Sequence, residues 1–154
     1  MMTRFVSLAI ASMLALAGVA VASHKGAKTY KADLEPVTVG ATAPTGKAKL
    51  VDSKKNNKVK VKVKGLEPGM TYPWHVHEGG TCEPAGDIVT AFEPYGELTA
   101  NAAGNARAKA KSDRFNSEDG YSVNVHEPEF PNDPIACGVL ERKGPQGKAK
   151  GHNK

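Results

Sequence analysis

Val59, Val61 and Val63 alternate with Lys58, Lys60, Lys62 and Lys64 in NNKVKVKVKG, residues 56–65. A strict period of two sets the valines on one face and the lysines on the other, the signature of a half-buried strand. On this reading the lysines form a solvated face that also discourages edge pairing. A patch for heparin or nucleic acid is the lesser alternative for the same lysines. The period-two rule picks out shorter runs on either side. VTVG (37–40) and GKAKLV (46–51) precede it, and TYPWHVH (71–77), IVTAF (88–92), GELTA (96–100), NARAKAK (105–111), YSVNVH (121–126) and IACGVLE (135–141) follow. Turn-forming clusters such as EPG (67–69), NAAGN (101–105) and SEDG (117–120) punctuate the series, and EGGTCEPAGD (78–87) reads as a loop. Eight or nine short strands predict an all-β domain, an antiparallel sandwich or flattened barrel.

The N-terminus breaks this pattern. One charge, Arg4, precedes an apolar run from Phe5 to Val21, and Ala20-Val21-Ala22 forms an A-x-A site. This predicts a secretory signal peptide over residues 1–22, cleaved after Ala22, and a periplasmic or secreted product with no integral membrane segment. Residues 23–34 are small, polar and basic and are expected to be flexible. The folded domain is expected over 35–142, followed by a basic, disordered tail over 143–154.

Charge changes the picture little. The formal net charge is +5, but Arg4 leaves with the signal peptide and the tail KGPQGKAKGHNK carries four lysines and no acid. The remainder is near neutral, which argues against a nucleic-acid partner. The two cysteines, Cys82 and Cys137, are an even pair in an exported chain and read as one disulfide.

Candidate chemistry centres on the histidines. In a strand His75 and His77 share a face, and two neutral imidazoles side by side are half of a copper or zinc site. His126, at the end of YSVNVH, is the third histidine inside the expected domain; His24 and His152 fall in its loose ends. An H-x-H pair alone is a common pattern, and its neighbourhood carries the reading further.

GLEPGMTYPWHVHEGGTC (65–82), YGELTANAAGNARAKAK (95–111), YSVNVHEPE (121–129) and IACGVLE resemble, in that order, segments of the copper/zinc superoxide dismutase family. The resemblance spans about residues 35–142. It implies a Greek-key β-barrel of eight strands, His75, His77 and His126 as copper ligands, and a Cys82–Cys137 disulfide. Departures qualify it. EPAGDIVTAFEP (83–94) contains no histidine, and Pro94 stands where the family places a zinc aspartate, so the zinc site and the bridging ligand read as absent. Pro134, beside Asp133, replaces the arginine that guides superoxide. What remains suits Cu(I) in trigonal geometry, or Cu(II) with an open position, and the divalent affinity order favours copper over zinc. Glu78 and Glu127 are candidate acceptors for imidazole N–H groups; Trp74 and Met70 read as packing. The expected function is an exported, dismutase-like copper-binding protein with weak or no dismutation, served by a copper-delivery protein. The alternatives are a copper-only dismutase acting on superoxide, and a metal-free structural or interaction domain.

Overall fold

The structure, a computed structural model, describes residues 27–37, 43–113 and 120–143. The alternation of Val59, Val61 and Val63 with lysine becomes strand β3, Asn56–Lys64, with each valine buried and each lysine exposed. Before it run β1, Lys28–Pro36, and β2, Thr45–Asp52. After it come β4 (Thr71–Tyr72), β5 (Trp74–Glu78), β6 (Leu98–Thr99), β7 (Ala106–Asp113), β8 (Tyr121–His126), β9 (Pro134–Val139) and β10 (Glu141–Arg142). The main sheet is antiparallel in the order β5-β8-β9-β1-β2-β3-β7, with β10 also on β1, and it curls into a half-barrel. The pair β4-β6 forms a small second sheet. The all-β class read from the periodicity is the class observed.

Three local expectations are corrected. Residues 28–34, expected to be flexible, are strand. Tyr30, Ala32 and Leu34 alternate inward against Lys31, Asp33 and Glu35, a period hidden by the small and charged residues around it. TYPWHVH is broken at Pro73, whose carbonyl instead receives the His126 N–H. IVTAF is not a strand. Ile88 makes a single bridge to His77, and Thr90–Phe92 is a turn of 3-10 helix that buries Phe92. Val89 and Phe92 stand three apart, a spacing that puts both on one side of a helical turn but on opposite faces of a strand, and both are buried in the core. The expected signal peptide, residues 23–26, most of VTVG and the tail beyond residue 143 lie outside the described residues.

The core fills the concave side. Leu34, Leu50, Val59, Val76, Phe92, Leu98, Val123 and Val125 have no exposed surface. Each such side chain contributes about 1.5–3 kcal/mol of burial. Trp74 anchors one end, donating Nε1–H to the Gly96 carbonyl at 2.6 Å and meeting Tyr95 edge-on at 5.0 Å between ring centroids.

β9 is squeezed between β8 and β1. It pairs with β8 from Pro134 to Val139 and with β1 at Ala136 and Cys137, and the chain then rejoins β1 through β10. At Gly138, opposite Val123, a Cβ atom would overlap the Asp33 backbone carbonyl. Backbone on both sides leaves no room to yield. Gly138→Ala is expected to lower stability by about 2 kcal/mol or more, read as a lower urea midpoint; an unchanged midpoint would show that the strands can separate at no cost.

Candidate metal centre

β5 and β8 pair in a register that sorts their side chains. Trp74 opposes Val125, His75 opposes Asn124, Val76 opposes Val123 and His77 opposes Ser122. Directly opposed residues share a face. Trp74, Val76, Val123 and Val125 therefore enter the core, and His75, His77, Ser122 and Asn124 share the other face. His126, two residues beyond Asn124 at the end of β8, falls on this same polar side by alternation.

The three histidines predicted from sequence come together. Ring centroids lie 6.0 Å apart for His75 and His77, 5.2 Å for His75 and His126, and 5.6 Å for His77 and His126. One nitrogen from each ring can be chosen so that all lie within 4.8 Å of one another, the spacing of ligands around a single ion. Among the described residues this is the group of metal-ligating side chains that converges.

The surroundings orient these rings. His77 Nδ1 lies 2.8 Å from the Gly86 carbonyl oxygen. A carbonyl only accepts, so Nδ1 carries the proton and Nε2 keeps its lone pair for a metal. His77 Nε2, His75 Nδ1 and both ring nitrogens of His126 are buried with no protein partner. His75 is the half-exposed member. It meets Tyr95 edge-on at 5.1 Å and borders an open depression of about 380 Å3 with Tyr95 and Glu93 on its rim. Tyr95 is no competing ligand: its hydroxyl donates to the Val89 carbonyl at 2.8 Å, and burial pushes the phenol up to about 12.

The loop after β5 closes over this face. Cys82 is disulfide-bonded to Cys137, as read from the cysteine count. Cys137 opposes Asn124 on β9, so the bond draws the loop across the polar side of β8, where every residue is buried. Burial depresses the His126 protonation to about 4, helped by the neighbouring His75 and His77, and it lowers that of His75 for the same reason. Near neutral pH His75 and His126 are therefore uncharged, the form that binds metal.

Some participants were not foreseen. The acceptor for His77 is the backbone carbonyl of Gly86, not Glu78, which is exposed, or Glu127. A backbone carbonyl carries no side-chain signal. Ser122 and Asn124 did carry one, since S-x-N-x-H in YSVNVH is polar at every second position. Their side-chain Oγ, Nδ2 and Oδ1 atoms are buried beside the histidines without a protein partner.

A family model described as the CHRD domain matches residues 26–136. The chain belongs to the CHRD domain family. No curated protein matches it. The CHRD domain match takes in β1, the three histidines and Cys82, and ends one residue before Cys137. It overturns the superoxide dismutase resemblance, and with it the expected dismutase-like function, in weak or full form, and the oxidoreductase and antioxidant roles. The reason is physical. The four matching segments are strand-length pieces of alternating residues and turn glycines, which any antiparallel β domain needs. Little in them beyond H-x-H and the cysteines was specific.

The depressed protonation of His126 has a consequence for the metal-free CHRD domain. An unfolded chain takes up the proton near the ordinary value of 6.5, whereas the folded chain resists until about 4. The unfolded state binds more protons in that window, so stability is full above 6.5 and falls as the pH drops toward 4. Urea unfolding of metal-free protein across this range is expected to show the loss, and His126→Gln to flatten it; an equal slope in the variant would assign the loss to other groups.

Proposed function

We propose that this CHRD domain is a mononuclear metal-binding module that holds copper through His75, His77 and His126. The observation that carries the reading is the convergence of three imidazoles with donor atoms inside 4.8 Å of one another. Three further features support it. Burial disfavours protonation of His75 and His126. His77 has its tautomer set by Gly86. The remaining lone pairs are buried without partners, and a bound ion would satisfy them. An all-imidazole donor set suits copper or zinc, and the affinity order places copper first. A three-histidine set would leave a coordination position open. Export by the N-terminal segment, with cleavage after Ala22, belongs to the same reading, because an oxidising compartment preserves the Cys82–Cys137 bond.

Trp74 is the only tryptophan of the chain and precedes His75, so its fluorescence reports on the centre. Quenching by Cu(II) is expected to saturate at about one equivalent per chain, and zinc to displace copper only in large excess. In His77→Ala/His126→Ala the tight phase disappears while circular dichroism stays unchanged. Equally tight copper binding in that folded variant would refute the assignment.

The disulfide ties the loop to the site. Reduction removes a cross-link across 55 residues of sequence separation, worth about 4 kcal/mol on the chain-entropy model. It also releases the Gly86 carbonyl from His77, which is expected to weaken copper binding by roughly tenfold. A lower melting temperature with unaltered copper affinity would separate the two roles and assign the bond to stability alone.

A further inference from the structure

The lysines of β3 form part of a larger array. Lys31 opposes Lys49, Lys49 opposes Lys60, and Lys60 opposes Lys109, so four cations stand in one row across β1, β2, β3 and β7. On one side of this row Lys47, Lys62 and Arg107 form a second. On the other side Lys58 opposes Lys111. All of these side chains are exposed. Strands lie about 4.8 Å apart and alternate residues about 7 Å apart, so neighbouring cations fall within the screening length of roughly 8 Å at physiological salt. Among the described residues the recorded ion pairs, Lys47–Asp33 and Lys143–Glu141, lie at the β1 side, and Lys49, Lys60, Lys62 and Lys109 make none.

Protection of a sheet edge does not explain the array. β3 is flanked by β2 and β7, so its lysines guard no edge. Solubility does not require it either, since interspersed charges of both signs serve that end. Directly opposed like charges weaken a sheet, and this sheet stacks them in rows.

We propose that the outer face of β1, β2, β3 and β7 is a docking surface for a linear acidic polysaccharide, a role independent of the histidine centre. Cations prevail on this face, with Asp33 and Glu35 on β1 and Asp113 on β7 as the acids at its margins, and a surplus of positive charge calls for an anion. Adjacent rows spanning two to four strands call for a polymer with repeating charges rather than a single small ion. No aromatic side chain points outward from the four strands among the described residues, so bases would find no stacking platform. The face is the convex side of a curled sheet, opposite the core, and among the described residues no helix or ribbon projects from it to enter a duplex groove. Lysine ammonium groups, as point charges, suit carboxylates or sulfates spaced along a flexible sugar chain.

The test uses the full chain with alginate and heparin as probes. Both are expected to bind, more weakly by at least roughly tenfold on going from about 50 to about 200 mM salt. Lys60→Gln/Lys62→Gln is expected to weaken binding by roughly tenfold at the lower salt, with a melting temperature no lower than that of the parent and copper quenching unaltered. Lys54→Gln/Lys55→Gln, which removes the same charge from the exposed β2–β3 turn, is expected to leave binding nearly intact. Failure of both polysaccharides to bind would overturn the proposal. So would equal weakening in the two variants, which would mean net charge alone. Tighter binding to DNA of matched charge than to either polysaccharide would make nucleic acid the partner and overturn it as well.

Discussion

The register of β5 on β8 is the constraint on which the rest of this domain depends. A slip of one residue would turn Trp74 and Val76 outward and drive His75 and His77 into the core. Burial disfavours that slip strongly. Trp74, Val76, Val123 and Val125 are at most 1% exposed, and each contributes about 1.5–3 kcal/mol in its present place. Apolar packing on one face thereby aims three imidazoles on the other. No polar interaction within the histidine group is needed to hold it together, which is why its nitrogens remain available.

Two polar faces of the same β fabric follow opposite electrostatic rules. The histidine face is covered by the Cys82 loop, so charge is disfavoured there and protonation of His75 and His126 is held down. The lysine face is open to water, where rows of like charge are tolerated because solvent and salt screen them. Alternation alone produces both faces. What differs is whether a loop lies over them, and a single disulfide secures that loop.

The same alternation accounts for the likeness to the dismutase family and for its limits. A Pro-Gly turn, an alternating strand and a small residue at a close strand contact are solutions to local problems that many β domains face. Gly138 stands in IACGVLE because β9 passes against the Asp33 carbonyl, a requirement of packing rather than of chemistry. Such residues lend a motif apparent specificity without tying it to one activity. The match to the CHRD domain runs through residues 26–136 as one stretch, whereas the dismutase likeness rests on separate short segments.

Much of the molecule was determined by sequence alone. Period two dictated β3, β7 and β8 and the faces they bury, because side-chain alternation is a property of the extended backbone and needs no partner. Two cysteines allow one pairing within the chain. The same-face relation of His75 and His77 follows from their spacing. Tertiary structure decided the rest. His126 joins that pair only because β8 lies antiparallel to β5 in one register, 49 residues downstream in sequence. The Gly86 carbonyl becomes the partner of His77 only because the chain after the loop returns to pair with β5, through Glu78 N–H to Asp87 and the bridge of Ile88 to His77. β1 is a strand because β2 and β9 flank it, although its composition read as flexible. IVTAF turns into a bridge and a helical turn because β5 offers it a single pairing position. The lysine rows exist only once β1, β2, β3 and β7 are set side by side. Alternation is local and legible; register between distant strands is set by the packing of both faces at once, and no single segment contains it.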